Sequence, residues 1–141
     1  MRTVLWIIII TVPIMLLVNM LERFSKEGVD RVEVTRLEEP QQNASLPPGT
    51  SQTFPWKGGT RFQVVSYWKD TPITNGVVTD MGMGLVYHSG TSAKEIDTHQ
   101  AGPDHLSLLV VNYDLKTQKT EHLRFLDVER KGGQITFHAT K

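Results

Sequence analysis

Residues 105–140 read "HLSLLVVNYDLKTQKTEHLRFLDVERKGGQITFHAT", and this stretch decides the fold of the chain. Apolar and β-branched runs alternate in it with short polar segments, which is the pattern of strands and turns. We predict three strands, at 105–114, 120–129 and 134–140. Since the segments between them are only a few residues long, neighbouring strands should run antiparallel, and the stretch predicts a β-meander.

Alternation within these strands predicts which side chains are buried. In the last strand Ile135, Phe137 and Ala139 fall on one face, because successive side chains of a strand point to opposite faces. That face should belong to the core. Residues 106–113 lack this alternation. They predict a central strand covered on both faces, or covered on one side by a membrane-proximal stalk.

Two further β signals lie upstream of the meander. Residues 61–68, "RFQVVSYW", combine β-branched and aromatic residues and predict a strand. Asn75-Gly76 has apolar residues on both sides and predicts a two-residue hairpin turn, since both positions of a type I′ turn need positive φ.

The glycine-rich stretch "MGMGLVYHSG", residues 81–90, predicts a strand at 85–87. Gly82 and Gly84 before it would permit a bulge or a close backbone approach, and a long loop should follow. A dinucleotide-binding loop is excluded because position 87 is tyrosine instead of glycine and no helix pattern follows. Residues 56–141 therefore predict a mainly β domain, either a small antiparallel sandwich or a partly open barrel.

The N-terminal segment predicts a membrane anchor. Residues 4–21 form an uncharged, apolar run of eighteen residues. As a helix this run is about 27 Å long, close to the hydrocarbon thickness of about 30 Å. A kink at Pro13 is expected. We predict a single-pass signal anchor, residues 1–21, through which the chain is attached to the membrane.

A cleaved signal peptide is the alternative interpretation of the same segment. The basic start and apolar run fit one, but no small-x-small triplet follows the run. The very short N-terminal tail favours a cytoplasmic amino terminus. The C-terminal domain is then predicted to be periplasmic or extracellular, with a bacterial inner membrane favoured.

Between anchor and domain, residues 22–55 predict a stalk followed by a linker. Residues 38–55 are rich in proline and small polar residues and carry few large apolar ones, which is typical of a segment that does not fold alone. Residues 28–39 are ambiguous between helix and strand, and the alternation of Val32 and Val34 favours a short strand or an extended stalk. The predicted organisation is 1–21, 22–55 and 56–141.

Composition excludes several classes of function. The chain has 15 basic and 15 acidic residues and no cysteine. No surplus of positive charge exists for a nucleic-acid partner, so none is predicted. Disulfides, thiolate catalysis and cysteine-based metal centres are excluded. The sequence predicts no cofactor.

A metal site or a hydrolytic site is the sharpest chemical hypothesis. The candidate metal ligands lie close together in the predicted loop: His88, Asp97, His99 and His105. Imidazole and carboxylate groups are ligands that zinc accepts. Ser89 and Ser92 in the same loop are candidate nucleophiles, although a catalytic triad is defined by geometry and not by sequence proximity. Surface or packing histidines are the alternative explanation.

Aromatic residues suggest an interaction surface instead. Trp56, Tyr67 and Trp68 are the candidates, with a hydrophobic plug at one end of the domain as the alternative. Residues 61–68 or 134–140 could offer an exposed strand edge to a partner. We therefore expect an anchored β domain that serves as a protein-interaction or assembly module of a membrane complex; the second hypothesis is a metal-binding or hydrolytic domain using residues 88–105.

Overall fold

The computed structural model describes residues 28–37, 41–80 and 84–141. The predicted anchor at 4–21 and Gly82 lie outside these residues. Within them, no helix combines the length and apolar character needed to cross a membrane. The described chain is all-β, and its strands are β1 (Arg31–Arg36), β2 (Gln42–Leu46), β3 (Ser51–Pro55), β4 (Arg61–Trp68), β5 (Thr71–Asp80), β6 (Leu85–Ser92), β7 (Glu95–Gly102), β8 (His105–Asp114), β9 (Lys119–Lys131) and β10 (Gln134–Ala139).

The strands form two antiparallel sheets of five strands each. The first sheet has the order β2-β1-β4-β5-β6 and the second the order β3-β10-β9-β8-β7. The described strands do not close into a barrel. The core is one cluster of buried apolar side chains drawn from both sheets, as in two sheets packed face to face. The prediction of a mainly β, antiparallel sandwich is therefore confirmed.

The C-terminal meander lies where the sequence predicts it. Strands β8, β9 and β10 are consecutive neighbours in the second sheet. Ile135, Phe137 and Ala139 are buried in the core. Strand β8 lies between β7 and β9, as expected of a central strand. Its core-facing residues are Leu106 and Leu108, which are fully buried, and Val110, which is 5% exposed.

Four aromatic side chains join the two sheets. Phe62 of β4 stacks on Trp56, with ring centroids 5.6 Å apart and an interplanar angle of 14°. Phe54 of β3 and Phe137 of β10, in the second sheet, also contact the Phe62 ring, with centroid separations of 5.3 Å and 5.1 Å. We call these four residues the aromatic cluster. Aromatic pairs at such separations stabilise a core beyond their buried area.

Of the predicted stalk and linker at 22–55, the short strand favoured within 28–39 is present as β1, whereas the linker at 38–55 is wrong for the part that the structure describes. Strands β1, β2 and β3 all lie in this segment, and β1 pairs with both β2 and β4. Strand β3 pairs with β10 of the other sheet. Edge strands keep most side chains in solvent: Leu46 is the buried residue of β2, and Phe54 is that of β3. Their composition therefore resembles that of a linker.

The chain crosses between the sheets at both edges of the sandwich. Residues 47–50 lead from β2 to β3, and Ala93-Lys94 lead from β6 to β7. The predicted interaction edges are accordingly not edges: β4 lies between β1 and β5, and β10 lies between β3 and β9. The actual edge strands are β2, β3, β6 and β7. Residues 61–68 and 134–140 cannot accept an added strand without losing a neighbour.

Asn75-Gly76 is not a hairpin turn, contrary to the prediction from sequence. Both residues lie inside β5, opposite Val65 and Val64 of β4, and the turn before β5 is at Lys69-Asp70. Gly76 serves a different purpose. A Cβ at this position would lie 2.5 Å from Cε2 of Tyr87, so the absence of a side chain makes room for the phenol ring. The Tyr87 hydroxyl lies 3.2 Å from the Thr74 hydroxyl oxygen, within hydrogen-bond distance.

Gly76→Ala should lower the free energy of unfolding by about 1–2 kcal/mol, because the methyl group displaces the Tyr87 ring. In a Tyr87→Ala background the same substitution should be neutral or slightly stabilising, since alanine restricts the unfolded chain more than glycine does. Urea unfolding of the 141-residue chain in mild detergent, followed by tryptophan fluorescence, measures both. Equal losses in the two backgrounds would show that Tyr87 is not the reason for glycine at position 76.

The backbone approach predicted around Gly84 is present. Gly84 has φ of +128°, and the amide of Leu85 donates a hydrogen bond of 2.8 Å to the carbonyl oxygen of Pro103. The long loop predicted after residue 90 is wrong: β6 continues to Ser92 and β7 occupies Glu95–Gly102. Polar side chains on these exposed edge strands have the composition of a loop, which explains the error.

Candidate functional site

Strands β8 and β9 extend beyond their neighbours at one end of the sandwich. The last β7 pairing of β8 is at Val111, and β10 pairs with β9 only from Leu126 onward. Residues 112–121 therefore pair only with each other, as a two-stranded hairpin that continues past the second sheet. We call them the hairpin arm. A protruding arm leaves the inner layer of the sandwich open on one side.

A cleft of about 630 Å³ lies between the hairpin arm and the start of the described chain. Its floor is the end of the core, formed by Ile73, Val110 and Phe125, all of which are buried. The facing walls are Tyr113 on the arm and the segment 28–30. We call this the end cleft. Its volume and apolar floor are those of a ligand or peptide site in a protein of this size.

A β-bulge in β9 explains why this end is apolar. The register between β8 and β9 shifts between Leu108 and Leu109, so that Phe125 has no direct partner. Phe125 and Leu126 are consecutive and both buried. A bulge inserts one residue, so the alternation of side chains between the two faces shifts by one position from one side of the bulge to the other. As a result Leu123 lines the end cleft.

The three large hydrophobic residues that are exposed in the described chain gather at the end cleft. Tyr113 is 53% exposed, Leu115 is 54% exposed and Leu123 is 36% exposed. Tyr113 and Leu123 line the cleft, and Leu115 lies between two lining residues, Asp114 and Lys116. Contiguous exposed apolar side chains mark interaction surfaces, whereas single ones are unremarkable.

Charged groups of both signs surround the end cleft. The lining cations are Lys94, Lys116, Arg124 and Lys141, and the lining anions are Asp30, Asp114 and Glu121. Burial lowers the pKa of the Lys94 ammonium below its ordinary value. The pKa of the Asp114 carboxyl is also lowered, mainly because it accepts a hydrogen bond of 2.9 Å from the Lys116 amide. Asp114 is therefore ionised at neutral pH and fixes the turn of the arm.

The structure distributes the predicted metal ligands over three strands. His88 lies on β6 of the first sheet, whereas Asp97 and His99 lie on β7 and His105 on β8 of the second sheet. The closest carboxylate recorded for His105 is Asp127, at 3.9 Å, and Asp97 lies 3.7 Å from His122 instead. In the described ranges no group of three or more histidine, cysteine or acidic residues is placed to hold a metal ion.

Hydroxyl groups near these histidines are engaged elsewhere. The Ser92 hydroxyl donates to the carbonyl oxygen of Lys94, and the carbonyl oxygen of Ile73 lies 3.3 Å from it. Ser107, which faces His99 across the β7–β8 pair, donates to the carboxylate of Asp127. A carboxylate is a weak base at neutral pH, and in a catalytic triad the serine donates to histidine instead. The contact between Ser107 and Asp127 joins β8 to β9 in the second sheet, and the Ser92 contacts hold the end of β6 in the first sheet.

The three aromatic candidates do not form one surface. Trp56 is only 7% exposed and belongs to the aromatic cluster. Tyr67 and Trp68 are consecutive in β4 and so point to opposite faces of the first sheet. The Arg31 guanidinium lies 4.3 Å from the Tyr67 ring centre, and the Lys69 ammonium lies 4.7 Å from that of Trp68. Contact of Tyr67 and Trp68 with a partner stays a prediction.

The opposite end of the sandwich is held by Arg130. Its guanidinium donates to Asp104 over 2.5 Å and 2.9 Å and to Asp80 over 2.5 Å, which joins β5 of the first sheet to the second sheet. These two carboxylates raise the pKa of Arg130, with Asp104 having the larger effect. Both hydrogen bonds to Asp104 reach the same oxygen, Oδ1, and charge-assisted hydrogen bonds of this kind are stronger than those between neutral groups. The two ends of the domain thus differ. The ion pairs of Arg130 join the sheets at one end, which we call the clamped end, and the end cleft lies at the other.

No protein-family model, no curated protein and no solved structure matches this chain. Sequence reasoning missed Tyr113, Leu115 and Leu123. One signal was present: in "LRFLDV", residues 123–128, the apolar alternation changes face between Phe125 and Leu126, which is the pattern of a bulge.

Proposed function

We propose that this chain is a single-pass membrane protein whose extracytoplasmic β-sandwich acts as a protein-interaction module, and that the end cleft receives the partner. The observation that carries the proposal is that two of the three exposed large hydrophobic residues in the described chain, Tyr113 and Leu123, line one cleft, while the third, Leu115, lies next to it on the arm. A partner that buries these side chains gains the free energy of removing apolar surface from water, about 25 cal/mol per Å². The charged rim would set its orientation.

The position of the end cleft along the chain supports a partner at membrane level. Gly28 lines the cleft and follows the predicted anchor by six residues. Six residues span at most about 20 Å. If residues 4–21 cross a bacterial inner membrane with the amino terminus in the cytoplasm, the cleft is held close to the periplasmic surface. A membrane partner then meets it at a high effective concentration.

A photocrosslinking amino acid at Leu123 tests the proposal in native membranes. We expect ultraviolet light to trap one discrete partner, because Leu123 lines the cleft. The matched control places the same amino acid at Gln134, which is exposed at the clamped end. Tyr113→Asp combined with the crosslinker at Leu123 should reduce the adduct several-fold. Uncrosslinked chain alone, or the same adducts from both positions, would contradict the proposal.

A further inference from the structure

The hairpin arm and the first described residues lie at the same end of the sandwich. Gly28 and Val29 line one cleft together with Tyr113 of the arm. This inference rests on the anchor in the proposed function. It concerns the tip of the arm, residues 113–119, of which Tyr113, Asp114 and Lys116 also line the end cleft.

Chain length sets how far the arm tip can lie from the membrane. Residues 22–27 separate the predicted span from Gly28, a distance of at most about 20 Å. Strand β8 continues for three residues beyond its last β7 partner, Val111, before the turn at 115–118. At roughly 3.4 Å per residue this adds about 10 Å, before the turn itself is counted. The tip therefore covers a large part of the gap that the tether permits.

The side chains of the tip suit a membrane interface. Tyr113 and Leu115 are both more than half exposed. Lys116 and Lys119 are exposed beside them, and Asp114 is the one acidic residue at 113–119, where its carboxylate accepts a hydrogen bond from the Lys116 amide. Tyrosine is favoured at the headgroup level, and lysine keeps its ammonium in the headgroup layer while its aliphatic stem covers apolar surface. Each lysine near an anionic surface contributes about 1 kcal/mol.

We infer that the tip of the hairpin arm, residues 113–119, inserts into the headgroup layer of the membrane that carries the anchor and prefers anionic lipid. Two contacts, anchor and arm, then fix the orientation of the sandwich.

Site-specific fluorescence in nanodiscs tests the inference, and the absence of native cysteine makes the labelling clean. The 141-residue chain carries an environment-sensitive dye on Leu115→Cys, or on Lys131→Cys at the clamped end as the control. In phosphatidylcholine nanodiscs containing phosphatidylglycerol, we expect lipids spin-labelled at the headgroup to quench the dye at 115 several-fold more than the dye at 131. Phosphatidylcholine alone, and Lys116→Glu with Lys119→Glu in the mixed lipid, should each reduce this quenching.

The possible failures are distinguishable. A chain that does not co-purify with nanodiscs overturns the anchor and the arm contact together. A chain that co-purifies, with equal quenching at 115 and 131, overturns the arm contact alone. In that case the exposed tip would be available to a protein partner, and the result expected from crosslinking at Leu123 would not change.

Discussion

Phe62→Ala should lower the free energy of unfolding by about 3–5 kcal/mol, the usual cost of removing a buried aromatic ring. Phe62 is fully buried and contacts Phe54, Trp56 and Phe137, which belong to the other sheet and to the segment between the sheets. The cavity would therefore lie where the two halves meet. Since small domains have only about 5–15 kcal/mol of stability, this is a large share.

Urea unfolding of the 141-residue chain in mild detergent measures the effect through tryptophan fluorescence, to which Trp56, stacked on Phe62, contributes. Phe62→Leu is the matched control, because it keeps most of the volume and should cost less than about 1.5 kcal/mol. A loss below about 1 kcal/mol for Phe62→Ala would be typical of a surface site and would contradict a central role for this ring.

Gly84→Ala should cost about 2–5 kcal/mol through backbone strain and a backbone clash. At φ of +128° an L-residue with a side chain is strained, and the new Cβ would lie 2.8 Å from the Cα of Pro103. The backbone atoms of Pro103 cannot rotate away from the new methyl group as a flexible side chain could. The turn between β7 and β8 must move, and the hydrogen bond from Leu85 to Pro103 is lost.

Gly102→Ala is the control for this prediction, because Gly102 ends β7 beside the same turn and a Cβ there meets no atom within 4 Å. It should be neutral within about 0.5 kcal/mol. The same unfolding measurement compares the two alanine variants. Equal effects at positions 84 and 102 would argue against the close approach as the reason for glycine.

Strands whose side chains alternate between core and solvent were predictable from the sequence. Strand β8 begins and ends at the predicted residues, and β10 buries Ile135 and Phe137 as expected. Local alternation is sufficient there because each strand has one buried face. It is insufficient for β2 and β3, which bury Leu46 and Phe54 alone among otherwise exposed or half-buried residues. Their pairing depends on partners elsewhere in the sequence, which no local pattern encodes.

The prediction of a hairpin turn at Asn75-Gly76 was wrong for a related reason. Its local preference is real, but Gly76 is selected by the Tyr87 ring, which lies eleven residues away in sequence. Tertiary packing overrides a turn propensity of this size. The end cleft was not predictable because it depends on how far strands β8 and β9 extend beyond their neighbours β7 and β10. Strand lengths indicate an overhang only after the sheet order is known.

The place of β10 between β3 and β9 bears on how the protein is made. Strand β3 is synthesised early, yet its partner is residues 134–138. During translation the ribosome must deliver almost the whole described chain before that edge of the second sheet can form. Until then Phe54 has no Phe137 to pack against. Such long sequence separations slow folding, so this domain should depend on protection of its nascent early strands.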